Sequence, residues 1–301
     1  MAIKQVRANV NGTWHTLTYD SATGTYKCTI TAPGQTSYHQ TGGYYNVTVE
    51  ATNDAGTVGT ADGSTLSGLR LVVRERVAPV ITIVSPSNGA YVSNNKQPVV
   101  FNITDESGGS GVDLSSLVVK LDETAVDVSA ITRTAIINGY SFTYTPESAM
   151  KDGAHTVSIS ASDNDGNAAA VRSSTFTLDT VPPTLNVTAP ADGMITNTKS
   201  VVLRGTTNDA TSSPVALTVL LNGSAKVSNY QVPSDGTFST TLVLAEGSNT
   251  IVVTVKDAAG RTSSVTRTVT LNTSAVVITS ATVSPNPADA GATVVIAVTI
   301  E

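Results

Sequence analysis

The feature that most constrains this chain is an internal repeat whose copies are unequal. Similarity with a period of roughly 100 residues runs through it, built from short alternating segments separated by tight turns. Three segments carry the signature most clearly: Val47–Gly56 (VTVEATNDAG), Val157–Gly166 (VSISASDNDG) and Val252–Gly260 (VVTVKDAAG). In each, apolar residues alternate with polar ones, which puts the two sets on opposite faces of a strand, and the chain then turns through Asp and Gly as a hairpin does. The second and third copies are entered through similar residues, Asp152-Gly-Ala-His-Thr156 and Glu246-Gly-Ser-Asn-Thr250. The returning strands are expected at Leu69–Arg74, Ser174–Leu178 and Val265–Leu271.

Short junctions follow at Val77-Ala-Pro79, Val181-Pro-Pro183 and Thr273-Ser-Ala275. Proline in the first two stiffens the link and blocks further sheet pairing, so a semi-rigid string of units is expected. Beyond each junction comes a further shared element: Ile81–Gly89 (ITIVSPSNG), Leu185–Gly193 (LNVTAPADG) and Ile278–Gly291 (ITSATVSPNPADAG). A second strand follows each, at Val99–Thr104, Val201–Thr206 and Val294–Thr299. Alternation puts Val99, Phe101 and Ile103 on one face, with Val201 and Leu203, and then Val294, Ile296 and Val298, on that face in the later copies. Asn102, Arg204 and Ala297 point the other way.

This pattern predicts an all-β protein of two-sheet sandwiches. It resembles tandem bacterial immunoglobulin-like domains, through the S/A-P-x-x-G turn, the D/E-G-x-H/N-T-V/I strand entry and the D-x-G hairpin, over nearly the whole chain. The antibody-type cysteine pair and buried tryptophan are absent from the sequence. The resemblance extends to domains on phage tails and virions, and implies a structural role with weak attachment to cell surfaces or glycans.

The ends differ from the middle. Val6–Trp14 (VRANVNGTW) aligns with Leu217–Lys226 (LTVLLNGSAK) and with Val118–Val126 (VVKLDETAV). In the later copies that strand comes third; in the first copy it comes first. Residues 274–301 read as the two strands that the first copy does not have. The expected division is an incomplete immunoglobulin-like domain at 1–77, full domains at 78–180 and 181–273, and a donor strand pair at 274–301. An incomplete sandwich exposes an apolar groove and a sheet edge, and a two-stranded segment alone is marginal. Donor-strand complementation between copies would resolve both and generate a head-to-tail filament. The donor residues are Val283, Val294, Ile296, Val298 and Ile300; the acceptors are Val6, Ala8, Val10, Val47 and Val49. Two other readings stand beside it: a piece of a cell-surface adhesin stalk, and a glycan-binding module using the first domain's aromatics.

Composition narrows the partners. Net charge is -6 without a basic block, which argues against nucleic acid and against an anionic membrane surface. No run approaches the ~20 apolar residues of a membrane span, so no membrane insertion is expected. The start carries no apolar secretory core, which points to synthesis in a cytoplasm and a virion or extracellular location after lysis. Cys28, the single cysteine, rules out an internal disulfide framework and is expected to face a strand neighbour as a small hydrophobe.

No catalytic motif emerges, and no cofactor is expected. His15 flanks a strand, His39 lies in a Gly/Ser/Tyr loop, and His155 stands where the third copy has Asn249, which suggests a turn role. Asp163-Asn-Asp165-Gly-Asn167 resembles half of a calcium loop, but the twelfth position is Ser174 rather than Glu, so a tight Asx turn is expected and no metal site is assigned. Asp105, Glu106 and Asp113 leave calcium in the loops between domains an open question. Trp14, Tyr19, Tyr26, Tyr38, Tyr44 and Tyr45 crowd the first copy. Tyr38, His39 and Tyr44 form the candidate ligand loop, for a cell-surface glycan or protein.

Overall fold

The computed structural model describes residues 2–301, and they are built almost entirely of strands. Three short 3-10 turns are the helical elements among the described residues. The chain separates into two compact units, one ending at Leu178 and one spanning Asp179–Glu301.

In the first unit, the stretch 80–178 forms two facing sheets. One is ordered Val80–Ser85, Val99–Thr104, Gly139–Tyr144, Ile131–Ile136. The other runs Arg172–Leu178, Gly153–Asp163, Val112–Leu121, Thr124–Ala125, with Tyr91–Val92 added in parallel on Arg172–Leu178. Alternation decides the faces: Val99, Phe101 and Ile103 are fully buried, and Val119, Val157 and Ile159 meet them from the opposite sheet. The rings of Phe101 and Phe142, cross-strand partners, stack with centroids 5.0 Å apart.

The second unit repeats this plan. Thr184–Ala189, Ser200–Asn208 and Thr237–Val243 form one sheet. Thr262–Leu271, Gly247–Lys256, Ala216–Leu221 and Ser224–Gln231 form the other, with Met194–Thr196 again parallel on the outside. Leu203, Leu242, Ile251, Val253 and Val269 fill the space between them. Both stretches are tandem β-sandwiches of one design.

The N-terminal stretch shares one sheet with that design. Its order, Thr13–Thr16, Ile3–Val10, Thr48–Asn53, Val58–Ala61, matches the second sheet of each full sandwich. A two-residue hairpin marks the same corner each time: Asn11-Gly12, Asp122-Glu123 and Asn222-Gly223 all have positive φ, as a right-twisted tight hairpin requires. Facing strands equivalent to Val80–Ser85 and Val99–Thr104 are absent from it among the described residues. It has instead the small hairpin Thr18–Asp20/Thr25–Lys27 and the pair Tyr45–Asn46/Arg70–Leu71.

Two expectations are corrected here. The strand returning from Thr48–Asn53 is Val58–Ala61, not Leu69–Arg74. Asp62 stops it: its Oδ1 accepts the Ser64 and Thr65 amides, turning the chain back so that Arg70–Leu71 pairs with Tyr45–Asn46 instead. Cys28 is exposed and falls just past its hairpin, so it packs in no strand.

Residues Ile278–Ser284 and Val295–Ile300 form a two-stranded antiparallel hairpin that no third strand joins. Its pairing of Ile278 with Ile300 and Val283 with Ile296 is of the same kind as Ile81 with Ile103 and Ile83 with Phe101 in the full sandwich.

Truncating a fully buried aromatic should leave a cavity that the rigid facing sheets cannot close. Phe101→Ala is expected to cost about 3–5 kcal/mol, measured by urea denaturation, whereas Val118→Ala on the exposed face of the opposite sheet should cost far less.

Candidate functional site

Three places hold polar or apolar groups that the sandwiches themselves do not need. The first is the C-terminal hairpin. Val283, Val294, Ile296, Val298 and Ile300 are all exposed, Ile296 to 68%, so both faces of the hairpin meet solvent. The counterpart residues Val99, Phe101 and Ile103 are at 0%. The expected acceptors behave otherwise. Val6, Ala8 and Val10 are each 7% exposed, and Val47 and Val49 are half-buried. Val6, Ala8 and Val10 are therefore not bare to solvent as anticipated; Ile30 and Pro33, from the coil after Lys27, line a cleft together with Val10. The sheet edge at Val58–Ala61 is open in this stretch, with Val58 exposed, as is the opposite edge at Thr13–Thr16.

The second place is the aromatic loop. Tyr38 is exposed, its ring edge-on to His39 at 5.2 Å, and both line a shallow cleft of about 350 Å³ with Ser110, Asn138, Tyr140 and Asn164. His39 Nε2 lies 2.9 Å from the Gly109 carbonyl, which anchors the loop. Tyr44 stands apart from this group, under the Arg70 guanidinium. Trp14 is covered by Arg7, which also pairs with Glu50. Tyr19 and Tyr26 face each other across their hairpin.

The third place is a pair of acidic clusters. Glu75, Asp105 and Glu106 bring one carboxylate oxygen each within 4.8 Å of one another, and so do Asp179, Asp209 and Asp257. The two clusters are built at corresponding points. Asp105 follows the strand Val99–Thr104, and Asp209 follows Ser200–Asn208; Glu75 and Asp179 each precede a proline junction. In the first cluster Glu75 accepts from the Ser110 hydroxyl and the Val77 amide, and Asp105 Oδ2 accepts from the Gly111 amide. Burial, then the hydrogen bond to Asp105, then the charges of Asp105 and Glu75 push the Glu106 carboxyl up to about 7. In the second cluster the third member is Asp257 from the hairpin turn, and burial followed by the charges of Asp179 and Asp209 raises its pKa.

The half calcium loop is a turn. Asp163 accepts both the backbone amide and the side-chain amide of Asn167, and Asp165 accepts from the Thr36 hydroxyl and the Glu75 amide. Asp113 caps Ser115 away from the clusters. Asp179, Asp209 and Asp257 escape sequence reasoning because they come from three distant segments. The legible signal was an acid recurring within three residues of the second strand of both full copies, Asp105 and Asp209.

His155 has the turn role its equivalence to Asn249 suggests. Asp122 Oδ1 accepts the Thr156 amide just as Asn222 Oδ1 accepts the Thr250 amide, and the second side-chain atom of each reaches His155 or Asn249. His155 Nδ1 lies 2.6 Å from Asp122 Oδ2 and Nε2 lies 2.7 Å from the Lys151 carbonyl. Both neighbours are acceptors, so the ring satisfies both only as the imidazolium. Burial opposes that charge, but the Asp122 bond, the Lys151 carbonyl and the Asp122 charge outweigh it, and the pKa is raised above 6.5.

Residues 85–180 match the family described as "Bacterial Ig-like domain", and residues 183–273 match "Glucodextranase, domain B". These are immunoglobulin-like sandwiches in tandem. No curated protein matches the sequence. Solved structures similar to it include the fibronectin(III)-like modules of Clostridium thermocellum CbhA, at 18% identity, covering 64% of this chain and 94% of that one, with a TM-score of 0.41. The tetra-tandem repeat in the extending region of a large adhesion protein is 20% identical and covers 98% of this chain and 79% of that one, at a TM-score of 0.34. A 1.5-MDa bacterial ice-binding adhesin is 18% identical over 89% of this chain and 86% of that one, at 0.31. Among the described residues no helix is long and apolar enough to cross a membrane.

The raised pKa of His155 fixes a pH dependence. The folded state favours its charged form, so the stabilisation is complete below the ordinary value of 6.5 and is lost as pH rises through the higher folded value. Urea denaturation of the intact protein should show stability falling from pH 6 to pH 8.5. The double variant His155→Asn, Asp122→Asn, which copies the Asn249–Asn222 pair, should lose that component of the slope; an unchanged slope would contradict the assignment.

Proposed function

We propose that the chain is a structural, stalk-type protein of tandem immunoglobulin-like sandwiches that joins copies head to tail. In this reading the hairpin Ile278–Ser284/Val295–Ile300 of one copy supplies the facing strands that the N-terminal sheet of the next copy does not have. The supporting observation is the hairpin itself. It exposes Ile278, Val283, Ile296, Val298 and Ile300 to water, in the strand arrangement that a complete sandwich buries. Two strands bearing that much apolar surface are marginal without a sheet to join. The open edge at Val58–Ala61 supports the same reading from the other side. Insertion would displace the coil carrying Ile30 and Pro33 from Val10.

Sedimentation velocity and electron microscopy of the purified chain test the joining. The intact chain should form concentration-dependent assemblies, and a chain ending at Asn272 should stay monomeric. Assembly by both, or by neither at high concentration, would sink the proposal.

A second activity, weak attachment to cell-surface glycans, is favoured by the exposed Tyr38 ring beside the cleft it shares with Tyr140, Asn138 and Asn164. On a glycan array Tyr38→Ala should lose signal by tenfold or more. Signals equal to those of the parent, or absent from both, would remove the loop from consideration.

A further inference from the structure

The cluster of Asp179, Asp209 and Asp257 calls for a counter-charge that the sandwich does not provide. The three side chains are 0%, 9% and 5% exposed, so each is nine-tenths buried or more. No lysine, arginine or histidine forms an ion pair with any of them among the described residues. Their positions are set by the backbone. Asp179 Oδ1 accepts the Val181 amide, Asp209 Oδ1 accepts the Thr211 and Ser212 amides, and Asp257 Oδ1 accepts the Arg261 amide. Oδ1 of each is thereby held and the carboxylates are aimed before any ligand arrives. Of the remaining oxygens, Asp179 Oδ2 accepts from the Ser212 hydroxyl. Asp257 Oδ2 is buried with no hydrogen-bond partner.

An unpartnered carboxylate oxygen inside a protein costs the full loss of its hydration. Two more carboxylates beside it make the cost larger, because like charges at this range repel strongly where water is scarce. A divalent cation removes both penalties at once. The geometry fits one: oxygens on opposite sides of a calcium ion, each at ~2.4 Å, are about 4.8 Å apart, and the three ligand oxygens lie within 4.8 Å of one another. The donors are all hard oxygens, with no imidazole or thiolate, which suits calcium, magnesium or manganese and not zinc or copper. Calcium tolerates irregular oxygen cages and takes further oxygens from water or backbone, whereas magnesium demands a near-ideal octahedron. Asp209 also lines a cleft of about 280 Å³ with Thr207, Ser213, Pro214 and Gly236.

We propose that Asp179, Asp209 and Asp257 form a calcium site that ties the segment entering the third sandwich to two of that sandwich's loops. Asp179 precedes the first strand, Asp209 follows the strand Ser200–Asn208, and Asp257 opens the turn between Gly247–Lys256 and Thr262–Leu271. One ion therefore fastens three segments that are remote in sequence, and binding stabilises the folded state by mass action.

The test uses the full chain stripped with EDTA. Isothermal titration with calcium chloride should show binding, and thermal unfolding followed by circular dichroism should show a higher midpoint with calcium than with EDTA. Asp257→Asn should weaken the affinity of one binding event by at least tenfold and abolish its share of the thermal shift. The same variant in EDTA should unfold at a midpoint equal to or above the parent's, since it removes a buried negative charge while keeping the shape. That last readout separates a metal ligand from a residue that merely holds the loop, whose loss would lower the midpoint. Asp209→Asn provides the same comparison should Asp257→Asn not fold. Absence of heat and of any midpoint shift with calcium, magnesium and manganese would overturn the site. So would titration curves of both variants that match the parent's.

Discussion

A β-sheet with one apolar face is stable in water only when something apolar covers that face. Every part of this protein is arranged by that requirement. In the two complete sandwiches it is met from within: Val99, Phe101 and Ile103 lie against Val119, Val157 and Ile159, and Leu203 and Leu242 lie against Ile251, Val253 and Val269. Burying side chains of this size is worth about 1.5–3 kcal/mol each. The N-terminal sheet meets the requirement with what lies nearby, and Val6, Ala8 and Val10 are buried without belonging to either large core cluster. The C-terminal hairpin does not meet it, and its valines and isoleucines face water.

The same sheet-facing geometry creates the acidic clusters. Turns that close the sandwich at one end bring an acid after the second strand close to an acid before the first. The two copies then use this corner differently. In the earlier one, Ser110, Gly111 and the Val77 amide supply donors, and the Glu106 carboxyl is held protonated up to about 7. In the later one the hairpin acid Asp257 enters in place of Glu106; each cluster keeps buried carboxylate oxygens without a hydrogen-bond partner, Asp105 Oδ1 and Glu106 Oε2 in the first and Asp257 Oδ2 in the second. The corner opposite shows a comparable divergence. Asp122 with His155 and Asn222 with Asn249 hold the same turn, but the first pair does so with a charge that depends on pH.

Much of this was legible in the chain. Period-two alternation placed the buried faces of Val99–Thr104 and Val201–Thr206 correctly, and the Asp-Gly turns placed the hairpins of the two full sandwiches. His155 could be read as a turn residue from Asn249 alone. The first copy was harder. A strand at Leu69–Arg74 satisfied the repeat, but Asp62 binds its own following amides, and Asn46 and Arg70 hold Gly63 beside it, so the chain turns back there. The approach of Ile30 and Pro33 to Val10 has no periodic signature at all.

The amino-acid sequence by itself determined the repeated strands of the two full sandwiches, their inward faces and their Asp-Gly turns, because these depend on φ/ψ preference and on spacings of a few residues. Only the tertiary structure decided which faces are covered, that Val6 is buried while Ile296 is bare, and that Asp179, Asp209 and Asp257 meet. Those outcomes depend on contacts between segments tens of residues apart, and no local spacing encodes the distance between them.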